Sequence, residues 1–284
     1  ACGWSVEKLV PVVPATAIVG MLREDLREEF GLTKNLPIVI GLNDGASAVL
    51  ANEASKAGEA VLTLGTNGVI FLVADVPIPP EKRVEKAFFC WPYLPGRWIV
   101  GGQNKAAGCS LEWFSKIING THKGASHIDA LLLEAEKKPP GSHGVFFFPY
   151  LMGRGTPVDE PGARAAFMGL SLQHERGDLV RSVLEGVAFT LKDVMDALEN
   201  EGVPVKQISI AGGGARSTVW REILAQILNR DLRCSNTDSS LGAAMLAAVG
   251  TGVYVDIRDA QRDMAADATV TKPDRHKAER YIDL

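Results

Sequence analysis

Ala60-Val61-Leu62-Thr63-Leu64-Gly65-Thr66-Asn67-Gly68-Val69-Ile70-Phe71-Leu72-Val73 sets two apolar runs on either side of a short glycine-bounded turn. Runs this short and apolar, joined by so tight a turn, read as a β-hairpin. Glycines let backbone N–H groups approach an anion closely, and Thr66 and Asn67 add side-chain donors, so Gly65 to Gly68 could hold phosphate oxygens. Asn67-Gly68 is also a common turn pair of a plain hairpin, and on this stretch alone the plain hairpin is the stronger reading.

Upstream, Pro37-Ile38-Val39-Ile40-Gly41 reads as a short buried strand, followed at once by Asn43-Asp44 and by a helix through Ala46, Ala48, Val49, Leu50 and Ala51. A carboxylate just after a buried strand can face a cleft, so Asp44 is a candidate general base toward a hydroxyl. It can equally serve as the helix cap. Residues 1–35 are irregular, with one helical stretch over 23–30 closed by Gly31.

Downstream, a second hairpin is expected around Pro95-Gly96, then helices over 106–118 and 128–136. Gly144-Val145-Phe146-Phe147-Phe148 reads as a buried strand that leads into a Gly/Pro-rich loop through Gly162. The strongest helix covers 179–198, where Val180, Val183, Leu184, Val187, Leu191, Val194, Met195 and Leu198 follow the 3.6-residue period of one buried face. A strand over 207–211, a glycine turn, a helix over 219–228, a strand over 232–234 and an Ala-rich helix over 241–249 complete the pattern. Beyond Asp256 the chain is charged and weakly patterned, which predicts one or two surface helices or fraying. Hairpins first and β-α-β-α later predict a mixed α/β domain.

The glycine turn is Gly212-Gly213-Gly214-Ala215-Arg216-Ser217-Thr218. Three glycines between strand and helix let a nucleotide lie against the backbone, with the positive end of the helix beside it. A plain strand-to-helix connection rarely needs three glycines, and Gly213 is expected at positive φ. A dinucleotide site is a rival, since Asp238 follows the next strand, but Ser217 replaces the third glycine of that fingerprint and only one further strand–helix unit follows.

The remaining composition excludes much. With 30 Lys+Arg against 34 Asp+Glu the net charge is −4, which argues against a nucleic-acid surface. No apolar run approaches a membrane span. Cys2, Cys90, Cys109 and Cys234 are scattered and read as free thiols of a reducing cytoplasm. His122 and His127 are expected at the solvent and not as metal ligands. Neither a Gly-x-Ser-x-Gly elbow nor a Walker loop occurs. No initiator Met or signal peptide is visible, and the chain opens as if in the middle of a longer one.

Together these stretches resemble the FGGY family of carbohydrate kinases. Residues 37–54 resemble the family's Gly-x-x-Asp segment, with Asp44 on the catalytic base; Leu64-Gly65-Thr66-Asn67-Gly68 resembles its second phosphate hairpin, usually Leu-Gly-Thr-Ser-Gly. Phe167-Met168-Gly169-Leu170 with the 178–186 segment resembles its C-terminal signature, residues 212–217 with Trp220 its adenosine motif, and Leu241-Gly242-Ala243-Ala244 its closing Gly-Ala-Ala segment. Gly108-Cys109-Ser110-Leu111-Glu112-Trp113 is similar to another nucleotide-contacting stretch, with Glu112 where some relatives carry Gln. Phe148-Pro149-Tyr150-Leu151 resembles xylulose kinases most, although Gly153-Arg154-Gly155-Thr156-Pro157 departs from their Gly-Glu-Arg-Thr-Pro.

The resemblance implies an α/β, actin/hexokinase-like (ribonuclease H-like) ATPase domain, a mixed sheet with flanking helices. It implies a division into 1–54, the closing part of a first, sugar-binding domain; 55–255, the ATP-binding domain; and a tail, 256–284. No Asp-x-Gly-Thr occurs in the chain, so that first phosphate motif and most sugar contacts are expected on a preceding N-terminal domain. The implied function is ATP-dependent phosphorylation of a sugar hydroxyl, a pentulose such as D-xylulose, by a cytoplasmic enzyme. Its ligands are ATP and Mg2+ on the phosphates, and a homodimer is a further implied partner, with no nucleic acid and no membrane. Asp44 is the implied base; Gly65, Thr66, Asn67, Gly68, Gly108, Glu112, Gly212, Gly213, Gly214, Ala215, Arg216, Ser217 and Thr218 are the implied nucleotide contacts. The alternatives are a non-catalytic nucleotide-binding fragment or subunit, and a dinucleotide-dependent enzyme.

Overall fold

Val61 and Val73 point to one side of the hairpin and Leu62, Leu64, Ile70 and Leu72 to the other, and all are buried. A hairpin buried on both faces belongs at the centre of a covered sheet. The computed structural model describes residues 5–119, 125–235 and 237–284, so Cys2 and His122 lie outside the described residues.

Along the chain the elements are β1 (Ile18–Met21), α1 (Glu24–Glu29), β2 (Pro37–Val39), α2 (Asp44–Ala51), β3 (Glu59–Leu64), β4 (Gly68–Ala74), α3 (Pro80–Lys86), β5 (Phe89–Pro92), β6 (Trp98–Asn104), α4 (Gly108–Asn119) and α5 (Ala125–Glu136). Then follow β7 (Phe146–Phe148), β8 (Ala166–Met168), α6 (Arg176–Asn200), β9 (Gln207–Ala211), α7 (Thr218–Leu228), β10 (Leu232–Ser235), α8 (Ser239–Gly250), α9 (Ile257–Met264), β11 (Ala268–Thr271) and α10 (Arg275–Ile282).

Among the described residues the main sheet has 7 strands in the order β11-β10-β9-β3-β4-β6-β5. β3, β9 and β10 pair in parallel, and the remaining pairings are antiparallel. One face is covered by a core cluster drawn from α4, α5, α6, α7 and α10. The apolar stripe expected on α6 lies wholly in that cluster, from Val180 to Leu198. The other face is covered by α2, α8 and α9 through Val49, Leu50, Met245, Leu246 and Ala260. This is the mixed sheet with flanking helices expected from the sequence.

Three expectations fail here, the second only in part. The run 37–41 is not a buried strand. It pairs only with β1, and Ile38 and Ile40 are 41% and 52% exposed. The run 144–148 forms a strand only over Phe146–Phe148, paired with β8 outside the main sheet; Phe147 is buried as expected, whereas Phe148 is exposed. Local apolarity marks a strand but not which surface covers it. The charged end of the chain is more than surface helices, because β11 pairs antiparallel with β10 and closes one edge of the main sheet. Its four residues, Ala-Thr-Val-Thr, are too short to show a period.

On α6 the cluster contains an ionic group that no periodicity reveals. Glu185 Oε1 accepts from Arg181 Nε at 2.7 Å and from the Tyr281 hydroxyl at 2.6 Å, and Oε2 from Ser142 Oγ at 2.8 Å. Burial, followed by the charge of Glu185, pushes the Tyr281 hydroxyl far above its usual pKa, so it stays a donor. Full pairing is what makes buried charges tolerable, and here it ties α10 to α6.

The helices on the second face approach closely where α8 crosses α2. A Cβ at Gly242 would stand 1.9 Å from the carbonyl oxygen of Ser47. Gly242→Ala must force α2 and α8 apart, and overpacking of this kind costs about 1–3 kcal/mol or more. Urea unfolding of the variant is expected to show that loss with an unchanged m-value.

Candidate active site

The main-sheet hairpin closes through Gly65, Thr66 and Asn67, with Leu64 opposite Gly68 in the register. None of residues 65–68 has positive φ, so this is not the Asn-Gly turn of a plain two-residue hairpin. Its shape comes from the start of α4, where the N–H groups of Gly108 and of the preceding Ala107 point at it. Gly108 N donates to Gly65 O at 2.8 Å and Ala107 N to Thr66 O at 2.9 Å. Gly108 has to be glycine, because a Cβ would lie 2.6 Å from Gly65 O. Gly65 N is occupied by Asn67 O at 3.0 Å, whereas the N–H groups of Thr66 and Asn67 have no protein partner among the described residues. Gly68 is buried, its α-carbon against Leu191 and Ala107, and does not reach the surface.

The glycine turn follows β9, parallel to β3, and so emerges at the same end of the sheet. Its three glycines have separate reasons. Gly212 carries the positive φ, +94°, and a Cβ on it would meet Leu64 O at 2.8 Å; one on Gly214 would meet Leu64 Cδ2 at 2.6 Å. Gly213, expected at positive φ, is not, and a Cβ there would meet nothing within 4 Å. Ala215 is buried, and Ser217 is the N-cap of α7, accepting from Trp220 N at 3.2 Å. Thr218 is exposed on the first turn of that helix.

Between the two turns lies a cavity of about 460 Å³. It brings together Gly65, Thr66, Gly108, Glu112, Gly213, Gly214, Arg216 and Ser217 from the sequence reading. Asn67, Gly68, Gly212, Ala215 and Thr218 do not line it. Facing the glycines are Leu111 of α4 and Ile128, Asp129 and Leu132 of α5. The α5 residues were not foreseen, because an amphipathic pattern says which helix face is apolar and not what it stands opposite. The floor is Trp220, whose indole N–H donates to Leu184 O at 3.3 Å and fixes α7 on α6. Burial, and then the neighbouring Glu112 carboxylate, raises the pKa of the Cys109 thiol, which therefore stays neutral beside the cavity.

Asp44 lies apart from this cavity, exposed at the first position of α2 on the other face of the sheet. It is not the helix cap. Asn43 takes that place, its Oδ1 accepting from Ala46 N at 2.8 Å, while Asp44 Oδ1 accepts only from the adjacent Gly45 N. A second cavity, about 360 Å³, lies between β7 and α6; it is lined by Phe146, Phe148, Tyr150 and Phe189 and holds none of the expected site residues. The departing loop 153–157 is held against β6: Thr156 N donates to Gln103 O at 3.1 Å, and a Cβ on Gly155 would stand 2.2 Å from that oxygen. Among the described residues no three His, Cys, Asp or Glu side chains converge where a metal ion could be held. His127 is half-buried and not solvent-facing.

A mixed sheet in which, among the described residues, only β3, β9 and β10 pair in parallel is not a dinucleotide fold. Over residues 60–251 the chain matches the C-terminal domain of the FGGY family of carbohydrate kinases. It is 33% identical over 291 residues to a gluconokinase of Bacillus subtilis (strain 168), covering 99% of this chain and 56% of that protein. It is 34% identical over 253 residues to a xylulose kinase of Escherichia coli (strain K12), covering 88% and 50%. The crystal structure of xylulose kinase from Rhodospirillum rubrum superposes with a TM-score of 0.84 at 28% identity, covering 96% of this chain and 54% of that one. The chain thus spans about half the length of the curated relatives it matches. The matched domain contains both glycine turns and every helix that faces the cavity, and the chain belongs to the FGGY family of carbohydrate kinases.

Proposed function

We propose that this chain is the nucleotide-binding half of an ATP-dependent sugar kinase and that it carries the general base, Asp44. The observation that supports this most is the single cavity between the two glycine turns, with bare backbone on one side and an apolar wall on the other. A flat, apolar base fits between Gly213-Gly214 and the Leu111, Ile128 and Leu132 side chains. The phosphates then extend toward the free N–H groups of Thr66 and Asn67. Magnesium would be held by those phosphates and would neutralise the charge that develops on them.

Phosphoryl transfer asks little covalent chemistry of the protein and much positioning. Asp44 accepts the proton of the sugar hydroxyl, whose oxygen attacks the γ-phosphorus in line as the bond to ADP breaks. The hydrogen bond of Asp44 to Gly45 N leaves its other oxygen free for that proton. A preceding N-terminal domain supplies the remaining sugar contacts and closes the cleft over Asp44. The acceptor is a pentulose such as D-xylulose; the similarity to a gluconokinase makes D-gluconate the acceptor to compare with it. We place the enzyme in a reducing cytoplasm, where the thiols of Cys90, Cys109 and Cys234 stay free.

Two outcomes test this. Gly213→Val adds a side chain at a position with ordinary φ and open space, so it fills the cavity without straining the turn. Titration calorimetry is expected to show ATP binding to the parent chain and none to the variant, at an unchanged melting temperature. Binding of NAD in place of ATP would sink the kinase reading.

In a full-length kinase containing this chain, Asp44→Asn is expected to lower kcat by roughly 10²–10⁴-fold, the usual range for a general base, with KM little moved. Because Asn43 caps the helix, the variant keeps its melting temperature. Turnover of D-xylulose and D-gluconate within a few-fold of the parent would remove Asp44 from the mechanism.

A further inference from the structure

The glycine turn has little of its own with which to hold a shape. Three of its residues lack side chains, Ala215 is buried and Arg216 is exposed. The guanidinium of Arg221, on the next turn of α7, binds it from outside the cavity. One terminal nitrogen donates to the carbonyl of Ala215 at 2.5 Å, the other to Thr218 Oγ1 at 3.2 Å, and Nε to Thr271 Oγ1 on β11 at 3.3 Å. Arg221 does not line the cavity, and among the described residues no carboxylate pairs with it. Its donors are therefore directed at one backbone carbonyl and two hydroxyls, not at a charge.

We propose that Arg221 is a positioning residue of the nucleotide site: it holds the backbone of Gly213 and Gly214 where a nucleoside lies against them, with Thr271 as its anchor. This rests on the nucleotide reading of the cavity. The planar fork is what the task requires, since it reaches three acceptors at fixed angles and a lysine ammonium on a flexible stem does not. The inference also gives the C-terminal strand a part in the site. β11 closes the sheet edge beside β10, and β10 itself sends the Cys234 thiol to the same Ala215 carbonyl at 3.7 Å.

The test compares the parent chain with Arg221→Ala, Arg221→Lys and Thr271→Val, the last keeping the branched shape and removing the acceptor. Hydrogen exchange is read at the amides of Ala215 and Ser217, which donate to Gly212 O and Gly214 O. Loss of the fork is expected to speed exchange at these two amides about tenfold while the amides of α6 keep their protection. ADP affinity is expected to fall about fivefold to tenfold in Arg221→Ala, to stay low in Arg221→Lys, and to fall less in Thr271→Val. Affinity for inorganic tripolyphosphate, which needs only the hairpin loop, should stay at the parent value. Unchanged exchange at Ala215 and Ser217 overturns the proposal. So does an equal fall for ADP and tripolyphosphate, or full recovery with lysine, because each assigns the effect to charge or to global stability. If the parent chain binds neither ligand, the nucleotide reading fails, and with it Arg221's place in a nucleotide site, while the exchange rates still decide whether Arg221 holds the turn.

Discussion

Three backbone segments converge on the carbonyl end of β3, and the rest of the site depends on how closely they approach. The glycine turn lies on Leu64 through Gly212 and Gly214, and α4 meets the hairpin loop at Gly108. A β-carbon at any of these positions would come within 2.8 Å of a neighbouring atom. Only glycine permits that approach, which brings the loop after β3 and the turn after β9 to the two sides of one cavity. The parallel pairing of β3 and β9 makes this geometry available, because parallel strands release their loops at the same end.

Rigidity comes from behind the site. α6 crosses the sheet with a continuous buried stripe and carries the Arg181–Glu185–Tyr281 group, which ties it to α10. α7 is fixed to it through the Trp220 indole, and the glycine turn is held to α7 and β11 through Arg221. The hairpin loop is held separately, by the start of α4, and Asn104 ties the segment that leads into that helix to α6: its Oδ1 accepts from Ala106 N at 2.7 Å and its amide nitrogen donates to Thr190. The glycine turn is thus fixed from outside the cavity, and the hairpin loop by the start of α4 at the cavity's edge, an arrangement that preorganised binding requires.

The outer parts of the chain look different. Ile18, Val19, Met21, Ile38 and Ile40 of the β1–β2 ribbon are all exposed. α2 joins this ribbon to the sheet, and its closeness to α8 at Gly242 sets where Asp44 stands. Asp44 is set by one face of the sheet and the cavity by its end, so the two are related only through the whole fold.

What the sequence determined by itself were the features written in local pattern. The 3.6-residue stripe of α6, the two short apolar runs and tight turn of the β3–β4 hairpin, and the strand–glycine–helix unit around Gly212 all follow from neighbours a few residues apart. The glycine positions were legible too, but not their reasons: Gly68 and Gly212 serve packing and Gly213 the cavity, a distinction set by what stands opposite each. The tertiary structure alone decided that α5 forms the far wall, that β11 joins the sheet, that Asn43 and not Asp44 caps α2, and that Arg221 reaches back to the turn. These depend on contacts between segments distant in the chain or on which of two adjacent side chains turns inward. A local pattern fixes the apolar face of an element, and only packing fixes its partner.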